Sequence, residues 1–271
     1  MDEVKKTQDV DLFVVEIRSP LSDEAREIRG MTEKKDILMS RLSSIAMGMK
    51  PSVNRLNMIN KLLVEDEKNK KLEWMVPILK YHDNIHKFTS DEMVERLNGI
   101  DQKDVYTRQT YMVEKQKKIT FENNPEIILS EESKMAIDCV VEKADELGTK
   151  VLLISTPYIP TKTRGALQLQ MAEYIRQQGY DYLDMSDQYK EIGLDLNVDF
   201  YDKNHTNIVG AKKVTTYLDL YIAENYDLRN CLDDAQKIRW KEICETWNEE
   251  ENKLIELWKQ EVEKGTSDEK E

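Results

Sequence analysis

The chain carries three histidines, His82, His86 and His205, and two of their neighbourhoods have spacings that could do chemistry. In "DLNVDFYDKNHTNIVGAKKVTTYL" an aspartate, Asp202, precedes His205 by three residues. A carboxylate at that distance across a turn can hold one imidazole nitrogen and leave the other facing a substrate, which is two thirds of a hydrolytic triad. The missing third is a nucleophile. Two serines fall at the ends of apolar runs that read as strands, Ser19 in "EIRSPLSDE" and Ser155 in "VLLIS". Neither is flanked by the glycines of a tight turn that would expose a hydroxyl and free backbone N–H groups for an oxyanion, so both are candidates for a substrate pocket more than for attack. The alternative at each is a strand-end hydroxyl bonded to the backbone. Tyr158, in "STPY", is a third pocket candidate.

The second neighbourhood is "HDNIH", which sets His82 and His86 four residues apart on a predicted helix with Asp83 between them. Both imidazoles would share one face, as in a zinc hydrolase, with Asp83 in the place of the usual glutamate base. No third ligand follows at a recognisable interval, and the competing reading is two surface or packing histidines. The expectation is therefore no metal and no cofactor, with a zinc hydrolase as the remote alternative.

The elements that must position these residues can be read along the chain. "VDLFVVEI", "TKVLLISTPY" and "YDYLDMS" are short apolar runs rich in β-branched and aromatic residues, the pattern of parallel strands buried on both faces. Strands are expected near Leu12–Ile17, Val151–Ser155 and Tyr182–Asp184. "SEESKMAIDCVVEKADELG" reads as a helix capped by Ser130 and stopped at Gly148, and "GALQLQMAEYIRQQG" as one ending on Gly179. "GAKKVTTYLDLYIAENY" closes the domain as a helix. This alternation predicts an α/β fold, a doubly wound parallel sheet with ligands at the carboxyl ends of its strands. Between the first two strands, from about residue 22 to 118, apolar residues recur at helical intervals and predict a helical insertion. The expected organisation is an α/β domain over residues 1–230 with the insertion at about 30–125, then a charged amphipathic tail at 231–271. The tail bears Trp240, Trp247, Leu254 and Trp258 near heptad spacing. It is expected to pack that stripe on the domain, the alternative being a partner-binding coil.

Composition narrows the classes. A net charge of −13 over 271 residues is the wrong sign for a nucleic-acid binder and for anionic lipid surfaces. No apolar run is long enough to span a membrane, and the N-terminus lacks a signal-peptide pattern. Cys139, Cys231 and Cys244 lack metal-type spacing and read as unpaired thiols.

The blocks "VDFYDKNHTNIVGAKKVTTYLDLYI", "VLLISTPY" and "DLFVVEIRSPLSDE" together resemble the SGNH (GDSL-like) hydrolase family, in particular its bacterial cell-envelope group related to the D-alanyl transfer protein DltD and the alginate acetylation proteins. The similarity runs from about residue 5 to 230 and is most specific at the His205 loop. It implies a flavodoxin-like strand order and a triad in which Asp202 and His205 take the aspartate and histidine places. It also implies ester hydrolysis or O-acyl transfer on an acylated cell-envelope polysaccharide or small ester, a possible membrane-bound O-acyltransferase partner, and a cell-envelope or extracellular location through an N-terminal anchor. The family's GDS or GSSH serine block and its glycine block have no counterpart here, which implies an N-terminally incomplete sheet with the serine strand upstream of Met1. This chain alone is then expected to be near-inactive, and a non-catalytic binding module is the alternative.

Overall fold

A computed structural model describes residues 1, 5, 9–18, 52–63, 65–75, 110–117, 121–229 and 232–268. The chain divides into two compact units, one made of Met1–Ala25 with Gln109–Glu271 and the other of Arg26–Arg108. In the first unit, β1 (Leu12–Glu16) opens a sheet that continues after a long excursion. The second unit contributes α1 (Val53–Leu62), a short 3₁₀ turn and α2 (Lys71–Met75). Ser52 caps α1 by accepting from the Arg55 amide, and the buried Arg55 guanidinium donates to the Trp74 carbonyl oxygen at 2.9 and 2.7 Å. Ile59, Leu63 and Trp74 close a small core around that contact.

The first unit resumes with α3 (Glu131–Glu146), β2 (Lys150–Ser155), α4 (Lys162–Gln178), β3 (Tyr182–Asp184) and the single turn α5 (Tyr189–Ile192). A hairpin follows, β4 (Phe200–Asp202) and β5 (His205–Thr206), then α6 (Ile208–Asn225) and α7 (Asp234–Asp268). The three predicted strands form one parallel sheet in the order β1-β2-β3, with Val14 paired to Leu152 and Ser155 to Asp184. Their boundaries lie within a residue of the expected ones because each is an uninterrupted apolar run closed by a polar residue.

Alternation along β2 separates two cores. Leu153 packs with Ile137 of α3 and Leu167, Met171 and Ile175 of α4. Leu152 and Ile154 face Leu183, Met185, Tyr189 and Phe200, with Val214, Tyr217, Leu218 and Ile222 of α6 packed against them. Helices thus cover both faces of a parallel sheet, an α/β arrangement. Both crossover helices sit on one face because the strands step in one direction, and right-handed connections place them there. The strand-order reversal of a flavodoxin-like sheet is not seen among the described residues.

Helix ends follow local chemistry. Ser130 and Thr161 cap α3 and α4 through their hydroxyls, and Gly179 takes the left-handed conformation that stops α4, with φ of 72°.

Two elements differ from expectation. Residues 110–117, counted above within the helical insertion, belong to the α/β unit as an extended strap: the Glu114 amide donates to Phe200 O and the Gln116 amide to Leu196 O. Backbone partners some eighty residues away outweigh a helical spacing of apolar side chains. The hairpin β4–β5 was not foreseen, because two- and three-residue strands are too short to show a period.

Candidate functional site

The hairpin is built around its own aspartate. Asp202 Oδ1 accepts from the amides of Asn204 at 2.7 Å and His205 at 2.9 Å, an Asx turn that folds the chain back on itself. The same fold brings His205 Nδ1 to 2.9 Å from both Asp202 carboxylate oxygens. Burial is the largest single influence on the Asp202 carboxyl and pushes it up. The hydrogen bonds from the His205 ring and the Asn204 amide, with the charge of His205, outweigh it and leave the carboxyl below its ordinary 3.8. An ionised carboxylate only accepts, so the contact puts a proton on Nδ1. In the neutral ring Nε2 then carries the lone pair. Among the described residues nothing hydrogen-bonds Nε2, and the His205 side chain is 65% exposed. Tyr201 lies beside it, half open to solvent, with ring centroids 6.3 Å apart.

Two contacts fasten this hairpin to the carboxyl edge of the sheet, and a third ties its two flanks together. The Ile159 amide, in the loop after β2, donates to Lys203 O at 2.7 Å. Arg164, in the first turn of α4, donates to Asn204 Oδ1 at 2.9 Å. From behind, Asn207 caps α6 by accepting from the Val209 and Gly210 amides and donates to Val198 O at 2.6 Å. Gly210 is required by space: a Cβ there would lie inside contact distance of the Asp199 carbonyl oxygen and 2.9 Å from Thr206 Cβ. The "NxxG" at the start of α6 is therefore a packing device under the dyad. Asp199, fully buried, receives the Asp195 amide at 2.7 Å and Lys213 Nζ at 2.6 Å and fixes the loop before β4.

The other candidates fall elsewhere on this edge. Ser155 ends β2 but is fully buried, its hydroxyl accepting from Tyr182 at 2.9 Å. Gln168 Nε2 donates to Tyr182 and, at 3.3 Å, to Asp184 Oδ1, which also receives the Ser186 hydroxyl. Burial drives the Tyr182 hydroxyl far above its ordinary value, so it stays a donor. Ser155 belongs to this interior network and lines no open surface. Tyr158 is also buried, with the Arg18 guanidinium 4.9 Å from its ring centroid and Phe121 edge-on at 6.0 Å. Its hydroxyl donates to Arg164 O at 3.4 Å and its carbonyl oxygen accepts from the Tyr189 hydroxyl. Ser19, His82, Asp83 and His86 lie outside the described residues. Among the described residues no serine hydroxyl is within hydrogen-bonding distance of His205, no cluster of three metal-ligating side chains occurs, and no helix is long and apolar enough to cross a membrane. Asn207, Asp199 and Gly210 were missed as supports; Asn at a helix start is a capping signal that could have found Asn207, while Asp199 and Gly210 act through contacts that no local pattern encodes.

No family model, curated protein or solved structure matches the chain.

Proposed function

We propose that this chain carries the acid–base half of an SGNH-like serine acyl-transfer site, acting on acyl esters of a cell-envelope polysaccharide. The observation that carries the reading is the Asp202–His205 pair: a carboxylate gripping Nδ1 at 2.9 Å while the rest of the ring stands in solvent at the carboxyl edge of a parallel sheet. In such a step His205 Nε2 takes the proton from a serine hydroxyl as its oxygen attacks the ester carbonyl. It then returns the proton to the departing alkoxide, and Asp202 stabilises the imidazolium between the two events. Tyr201, exposed beside the ring, offers a face on which a sugar could stack. The serine is the part that the described residues do not supply.

The absence of a serine hydroxyl near His205 among the described residues favours a second reading, a non-catalytic module that binds an acylated glycan or a protein. One assay separates the two: hydrolysis of p-nitrophenyl acetate and of O-acetylated polysaccharide by the 271-residue chain, alone and joined to a preceding SGNH serine-block segment. The proposal expects near-background rates from the chain alone. It expects turnover from the joined protein that His205→Ala abolishes, because triad members act as a unit. Turnover indifferent to His205 overturns it, and glycan binding without turnover in either form establishes the second reading. Activity lost on chelation and restored by zinc would return attention to His82 and His86.

A further inference from the structure

The long helix α7 docks by one half only. Residues 234–246 are all exposed, while from Trp247 onward the predicted stripe is partly covered at Glu251, Leu254, Ile255, Trp258 and Val262. None of the described side chains of α7 is buried, so the helix rests on the α/β unit through edge contacts and not through a core of its own. Two of these contacts are specific: Trp258 Nε1 donates to Val198 O at 2.8 Å, and Glu251 pairs with Lys212 of α6 at 2.8 Å.

Both contacts land on the frame that holds the His205 hairpin. Val198 O is the oxygen to which Asn207 Nδ2 donates at 2.6 Å, the bond that ties the two flanks of the hairpin together. A carbonyl oxygen can accept twice, and this one holds Asn207 and Trp258 at once. Lys212 lies beside Lys213, whose Nζ holds the buried Asp199 carboxylate at 2.6 Å, and Asp199 O in turn accepts the Asn207 amide at 3.0 Å. The two contacts of α7 thus reach Asn207, two residues after His205, by separate routes. We propose that the docked half of α7 is a positioning element for the Asp202–His205 pair, with Trp258 acting through the Val198 carbonyl and Asn207 to hold the turn in which Asp202 grips Nδ1. The inference rests on the reading of that pair as the working acid–base unit. It makes the order of the site depend on a contact with no core behind it: undocking α7 loosens the hairpin and leaves the sheet folded.

The test is nitrogen NMR of the His205 ring in the full chain, with a melting curve for each variant. Trp258→Phe removes the shared donor and should move the ring nitrogens away from the values of the Nδ1-protonated form, toward those of Asp202→Ala. Lys212→Glu, which sets two carboxylates against each other at the second contact, should shift them in the same direction. Adding Glu251→Lys should restore them, a rescue that a general loss of stability would not give. Trp240→Phe, on the bare half of the helix, should leave them unchanged. Should Trp258→Phe fail to fold, the Lys212–Glu251 exchange, which disturbs no core contact, still decides. A wild-type ring protonated on Nε2 would sink the reading of the pair itself. A wild-type ring protonated on Nδ1 that neither Trp258→Phe nor Lys212→Glu alters overturns this proposal alone. So does a Lys212→Glu shift that Glu251→Lys fails to reverse, since the effect would then not pass through α7.

Discussion

Replacing Gly210 by alanine probes how tightly the Asp202–His205 hairpin is held from behind. The added methyl would sit inside contact distance of the Asp199 carbonyl oxygen, 2.9 Å from Thr206 Cβ and 3.1 Å from Asp199 Cβ. None of these three neighbours can swing away, because one is a backbone oxygen and the other two are Cβ atoms whose positions the backbone fixes. Overpacking of this kind costs about 1–3 kcal/mol, and rigid neighbours put it near the upper end. Alanine recovers roughly 1 kcal/mol of helix propensity. The net expectation is a loss of about 2 kcal/mol, which for a unit of this size is a fall in melting temperature of roughly 4–8 °C. The hairpin should also shift, because Asp199 O accepts the Asn207 amide at 3.0 Å and any retreat of that carbonyl displaces the segment after His205. Thermal unfolding followed by circular dichroism reads the first effect, and the ring resonances of His205 read the second. An unchanged or raised melting temperature would show that the helix start has room to move, and the account of Gly210 as a close-approach glycine would fail.

Acidification should weaken the first unit as Asp202 is protonated. Its carboxyl lies below 3.8 in the folded chain, so its contribution is present above that pH and is lost as pH falls through the folded value. With the side chain about a third exposed, the effect on the unfolding free energy from urea titration should be under about 1 kcal/mol, and Asp202→Asn should remove it. Ser155→Ala should leave any His205-dependent turnover intact in an esterase assay, since that hydroxyl is buried under Tyr182; loss of turnover with an unchanged fold would make Ser155 the nucleophile after all. Tyr182→Phe, which strips the hydroxyl between Ser155 and Gln168, should cost about 1–3 kcal/mol in urea unfolding by leaving a buried amide short of a partner. Trp258→Phe keeps an aromatic ring but removes the indole N–H that bonds Val198 O and part of the packed area, and should cost at least about 1 kcal/mol by the same measurement.

What was legible in the sequence was local. The strands over Leu12–Glu16, Lys150–Ser155 and Tyr182–Asp184 are apolar runs with polar ends, and the helices carry caps at Ser130 and Gly179 that any reader of the chain can find. The contact between Asp202 and His205 is local too, because an Asx turn closes three residues without help from the rest of the fold. Illegible were the features that long-range contacts create. Residues 110–117 are extended only because Phe200, Leu196 and Ile208 lie alongside to take up their backbone groups. Ser155 and Tyr158 stand at the expected edge, yet their burial depends on Tyr182, Arg18 and Phe121, which no spacing in the chain places next to them. In α7 the periodicity of the stripe was readable, but which half docks was decided by Lys212 and the Val198 carbonyl.

The claim on which the functional reading rests is that Asp202 fixes the His205 imidazole with Nδ1 protonated and Nε2 free to act as a base. Nitrogen NMR of the neutral ring in the wild-type chain reports this directly. The account predicts a protonated Nδ1 and an unprotonated Nε2 for His205, with that preference lost in Asp202→Ala. A wild-type ring carrying its proton on Nε2, or a tautomer unaffected by removing Asp202, would contradict it.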